Sequence, residues 1–172
     1  MNAVLLIGSG SDASVVSKWT LEEYDIVCAI NHAWKLPRRL DYHIFAGDYH
    51  KYGDFPGRDF PDHRRIGKYL HNNHETYRRY GGAEVGIGVT SFFNAAYWVL
   101  GSTGAGSIDF IGCSMYYPER RANTFYGGGN PDPIIRTSED RLHTFFVRFK
   151  EQASSQGVTL ANRGTKEGLM PY

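Results

Sequence analysis

The sequence predicts an α/β fold: a single Rossmann-like domain over residues 1–172, with a mostly parallel sheet flanked by helices. Two observations carry that expectation. Apolar runs such as Ala3-Val4-Leu5-Leu6-Ile7 and Ile26-Val27-Cys28-Ala29-Ile30 read as strands buried on both faces, and they alternate with helical spacing, the pattern of parallel strands joined by crossovers. Each run also ends in small or polar residues, which places those residues on the shared edge where ligands of open α/β sheets bind.

The first strand runs into Gly8-Ser9-Gly10-Ser11, a candidate phosphate cradle, because glycines let backbone approach an anion at a helix N-terminus. A dinucleotide fingerprint would place a third glycine at position 13, where Ala stands, and an acidic residue after the second strand, where Asn31-His32 stands. Ala13 to Leu21 reads as a short amphipathic helix capped by Ser11 or Asp12. The second strand is expected over Asp25–Ile30 and the third over Asp41–Ala46, leading to Gly47-Asp48. Tyr49 to Pro61 lacks a steady period and reads as an ordered loop.

Residues 62–80 are expected to form a polar helix. His71 and His74 in it are one turn apart, yet no acidic or Cys partner at a familiar ligand spacing accompanies them, so the reading is a solvated face and no metal site. Phe92 to Leu100 is apolar all round, the mark of a buried helix. Thr90 and Ser91 at its start are good N-caps and equally good anion contacts. A further strand, 107–113, ends at Ser114-Met115-Tyr116-Tyr117. Residues 118–138 form a long loop with Gly127-Gly128-Gly129 at its centre, read as a lid over the crevice. Leu142, Phe145, Phe146, Phe149 and Ala153 then mark one buried helix face ended by Gly157, and Val158 to Ala161 is a last strand.

A net charge of +1 gives no global attraction to nucleic acid. No apolar stretch reaches the ~20 residues that cross a bilayer. Cys28 and Cys113 sit in apolar runs and read as reduced core thiols, hence a cytoplasmic location. Aromatic residues make up 15% of the chain, enough to line a site that stacks a flat ring as well as to fill a core.

The glycine loop after the first strand, Asn31, the Gly88-Val89-Thr90-Ser91 helix start and Gly112-Cys113-Ser114-Met115-Tyr116-Tyr117 occur in an order that resembles the bacterial sialyltransferases and the related MptE-like proteins. The resemblance covers most of the chain. It implies a nucleotide-dependent transferase, most like a glycosyltransferase that takes a cytidine-activated sugar. Gly8, Ser9, Gly10, Ser11, Asn31, Gly47, Thr90, Ser91 and Ser114 would then contact the nucleotide, and Tyr116, Tyr117 or Tyr126 would steady the departing phosphate. His143 or Asp48 would deprotonate the acceptor. Leu142 and Phe146 flank His143, so a core or boundary position competes with catalysis there. The family strand ends Gly-x-Asp where this chain has Gly112-Cys113-Ser114, and its basic His precedes the late helix rather than lying within it.

This transferase reading requires no cofactor. An MptE-like pyrophosphokinase acting on a hydroxymethyl ring compound would require Mg²⁺, with Asp48 and Asp109 as the nearest carboxylates. A third alternative is a non-catalytic protein that binds or sequesters a nucleotide. The expected partner in all three is a nucleotide or nucleotide-sugar small molecule. Nucleic acid and membrane insertion are not expected, and oligomerisation is left open.

Overall fold

A computed structural model describes residues 1–45, 49, 53–67, 90–114, 124–127 and 139–164. The strands are β1 (Asn2–Ile7), β2 (Ile26–Ile30), β3 (Tyr42–Ile44), β4 (Ala105–Ile111) and β5 (Thr159–Asn162). They form one sheet in the order β3-β2-β1-β4-β5, and all four pairings are parallel. The fold is therefore the expected Rossmann-like α/β type. Because the chain winds one way from β1 to β3 and β4 and β5 lie on the other side, the winding reverses between β1 and β4. A crevice opens at such a reversal.

The period of two along each strand builds a core on both faces of the sheet. Val4, Leu6, Cys28, Ile30, Ile108 and Phe110 pack beneath α1 (Ser91–Ser102) and α2 (Glu139–Ser155). Leu5, Ile7, Val27, Ala29 and Ile111 pack on the other face against Ala13, Val16, Tyr24 and Ala33. The apolar stretch of α1 is buried from Phe92 to Leu100, and the stripe Leu142, Phe145, Phe146, Phe149 and Ala153 of α2 is buried as its spacing requires.

Three local expectations are corrected. The first connection is a 3-10 helix, Ser11–Lys18, and neither Ser11 nor Asp12 caps it: Gly10 holds the cap position without a side-chain bond. Ser14 and Ser17 donate their hydroxyls to the carbonyls of Ser11 and Ser14, the local competition that makes serine a poor α-helix former. The third strand is shorter than expected, ending at Ile44. From residue 62 a single 3-10 turn, Asp62–Arg64, gives way to an isolated bridge between Arg65 and His43. The rest of the expected helix, with His71 and His74, lies outside the described residues, as does the lid segment apart from residues 124–127.

Candidate functional site

The carboxyl ends of the strands bring Gly8-Ser9-Gly10, Asn31-His32, Cys113-Ser114 and Asn162-Arg163 to one edge. The glycine loop is packed against the end of β4. The Gly8 amide donates to the Ile111 carbonyl at 2.7 Å, and the Gly10 amide to the Gly112 carbonyl at 2.8 Å. A Cβ at Gly8 would lie 2.6 Å from Cys113 Sγ and run into the Gly112 carbonyl, while Gly112 itself has φ +69°. These glycines are thus explained by two loops crossing at contact distance. A Cβ on Gly10 would meet the Asp12 carboxylate at 2.9 Å, and a Cβ on Gly164 would meet it too. A phosphate placed in this loop would face that negative charge.

The end of β2 is built differently. Asn31 has φ 50°, the one positive value among the described non-glycine residues. Asparagine tolerates the left-handed region better than most residues, but the conformation persists only where the surroundings impose it. His43 is hydrogen-bonded to this residue. Its ring is fully buried, and Nε2–H donates to the Asn31 carbonyl at 2.9 Å. His43 Nδ1 has no hydrogen-bond partner among the described residues. Burial, partly offset by the bond to Asn31, pulls the His43 pKa down to about 4, so the imidazole is neutral at pH 7 and its one N–H is committed to the backbone.

Held this way, the Asn31 amide points at the start of α1, with Nδ2 3.4 Å from Ser91 Oγ. The Thr90 side chain caps that helix by accepting from the Phe93 amide at 3.1 Å. The amides of Ser91 and Phe92 belong to the first turn, which has no intrahelical acceptors. Ser9 Oγ, 3.4 Å from the Ile30 carbonyl, lies beside the same turn of chain.

An aromatic cluster surrounds this corner. His43 packs against Trp34, Phe45, Tyr49 and Phe55 with ring centroids 5.1 to 6.4 Å apart. Trp34 Nε1 and the Tyr49 hydroxyl both donate to the Asp54 carbonyl, at 2.8 and 2.7 Å, and Lys35 pairs with the Asp54 carboxylate, so the loop carrying Phe55 is latched onto the end of β2. Burial pushes the Tyr49 phenol up to about 12. His32 lies between Tyr49 and Tyr126, 5.0 and 4.9 Å from their rings, and its pKa is lowered, first by burial and then by Lys35. The corner therefore offers amide, hydroxyl, phenol and neutral imidazole groups.

Asp109 does not fit a cation site. Its carboxylate is buried within β4, accepts from the Tyr24 hydroxyl at 2.9 Å and pairs with Arg163 Nε at 2.7 Å, which gives it a structural partner on each side. Among the described residues no group of three His, Cys, Asp or Glu side chains is arranged to hold a metal ion, and no helix is long and apolar enough to cross a membrane.

Of the residues named from sequence, Gly8, Ser9, Gly10, Ser11, Asn31, Ser91, Thr90, Ser114 and Tyr126 are described. Ser9, Asn31, Thr90, Ser91 and Tyr126 gather around the β2 corner through the contacts above. Gly47, Asp48, Tyr116 and Tyr117 lie outside the described residues. His143 is exposed on α2 rather than in the core or at its boundary, and it makes no hydrogen bond, ion pair or ring contact among the described residues. The burial of His43 and the pairing of Asp109 with Tyr24 and Arg163 are not read from the sequence. Their partners are brought in by long-range pairing, with Asp109 85 residues from Tyr24 and 54 from Arg163.

The fold defines the class, a Rossmann-like α/β domain with a sheet of five parallel strands. Comparisons with protein-family models, with curated proteins and with solved structures give no match.

Proposed function

We propose that this chain is a nucleotide-dependent transferase, most like a glycosyltransferase that takes a cytidine-activated sugar. The observation that carries the reading is Asn31: a left-handed residue hydrogen-bonded to a buried histidine, with its amide aimed at the hydroxyl that opens α1. Such a corner suits a nucleotide phosphate, which would take the amides of Ser91 and Phe92, the Ser91 hydroxyl and the Asn31 side chain. The start of α1 is favoured over the glycine loop because Gly8 and Gly10 already donate to the end of β4 and Asp12 lies against that loop. Transfer would then require a base from outside this corner, for which Asp48 and His143 are the candidates.

A second reading, a binding protein without turnover, is favoured by the exposure of His143 and by Ser114 standing where the resembled family has a carboxylate. The two are separated by one series. Thermal unfolding with cytidine, uridine and adenosine nucleotides tests binding: a ligand at 100 times its Kd adds about 2.7 kcal/mol, a Tm rise of roughly 5–10 °C for a chain of this size. Incubation with activated sugars and product analysis then tests transfer. Binding with transfer or donor hydrolysis supports the transferase, and binding with the donor recovered intact supports the binder. No shift with any nucleotide overturns both.

A further inference from the structure

Tyr126 is held at the mouth of this corner by a small, well-anchored turn. Thr124 bridges Gly10 in antiparallel fashion, the Phe125 amide donates to the Ser9 carbonyl at 3.1 Å, and the Gly127 amide closes the turn on the Thr124 carbonyl at 3.1 Å. Gly127 takes φ +75°, which suits the residue that ends such a turn. Neighbouring side chains then divide their roles. Phe125 packs against the second core, while Tyr126 is left 45% exposed with its ring tilted 47° over His32.

Tyr126 thus presents a flat ring at the surface beside His32. His32 is itself fixed from behind by the edge of Tyr49. His32 follows Asn31 directly in the chain, and Ser9, which accepts from the Phe125 amide and donates to the Ile30 carbonyl, ties the Tyr126 turn to the same end of β2. Flat rings next to a phosphate-type corner match the two halves of a nucleotide.

We infer that Tyr126 and His32 form the base subsite of this corner, in which the Tyr126 ring stacks on a planar nucleobase while its phosphate lies toward Ser91. The inference rests on the nucleotide reading above, and it differs from the role that the family resemblance implies for Tyr126, in which the hydroxyl steadies the phosphate. Stacking uses the face of the ring and tolerates any base, because every base presents a π surface.

The test titrates the full chain and its Tyr126→Phe and Tyr126→Ala variants with cytidine, uridine and adenosine monophosphates and with ribose 5-phosphate by calorimetry. Circular dichroism checks that the fold is retained, as expected for a half-exposed turn residue. Y126A should bind all three nucleotides roughly ten- to hundredfold more weakly, Y126F should bind them as the native chain does, and the advantage of a nucleotide over ribose 5-phosphate should shrink in Y126A alone. Equal losses in Y126F and Y126A would assign the hydroxyl and overturn the stacking role. Unchanged nucleotide binding in Y126A would overturn this inference and leave the nucleotide reading intact, whereas a native chain that binds none of the three nucleotides would overturn both.

Discussion

Two corners of the same sheet edge handle tight geometry in opposite ways. Where β1 meets β4 the chain uses residues without side chains: Gly8, Gly10 and Gly112 let two loops cross and bond amide to carbonyl. Where β2 ends, it uses a residue with a side chain in a backbone region that favours glycine, and a buried histidine is bonded to its carbonyl. Glycine at position 31 would relieve the strain but would remove the amide. A strained backbone that keeps its side chain marks a place where the side chain matters, and glycine packing marks a place where closeness matters. The difference shifts the expected ligand contact from the glycine loop to the β2 corner.

The largest effect is expected at the crossing. Gly112→Ala places a Cβ 2.5 Å from the Gly8 carbonyl oxygen at φ +69°, and Gly8→Ala meets the Gly112 carbonyl from the other side. Neither neighbour is a flexible side-chain end, so each substitution should cost about 3 kcal/mol or more in urea denaturation. A loss below about 1 kcal/mol in both would show that the two loops part easily and that the crossing is not tight.

A smaller effect is expected on the other corner through pH. His43 has a folded pKa of about 4 against 6.5 for the free side chain. Between those values the unfolded chain takes up a proton that the folded chain refuses, so stability falls as the pH drops through the window and levels off below it. From pH 7 to pH 5 this one group should remove about 2 kcal/mol. His43→Gln, which keeps an N–H donor and does not titrate, should flatten that part of the stability profile. The same slope in both proteins would mean that the loss belongs to other groups.

How legible these corners were in the sequence follows from the range of the contacts that make them. The strands and the stripe of α2 depend on spacing within a few residues, and Leu142, Phe145, Phe146, Phe149 and Ala153 are buried as read. The same local reading placed a helix after β1, where serine hydroxyls bonded to nearby carbonyls produce a 3-10 helix instead. Asn31 reads as polar and at the edge, but the histidine bonded to its carbonyl lies twelve residues away on the neighbouring strand, which no local pattern encodes. Asp109 read as part of an apolar strand, and its burial is tolerated only because Tyr24 and Arg163 arrive from distant segments.

Substitutions at position 31 separate backbone from side chain. Asn31→Gly accepts φ 50° without a Cβ penalty, whereas Asn31→Ala keeps the penalty, and both remove the amide that lies 3.4 Å from Ser91 Oγ. Asn31→Ala should therefore be about 1 kcal/mol less stable than Asn31→Gly in urea denaturation. Nucleotide affinity should divide along the other axis, falling in both variants alike because both lack the amide. If Asn31→Gly bound nucleotide as well as the native chain, the asparagine would be a conformational device only, and the two corners would differ in how they fold rather than in what they bind.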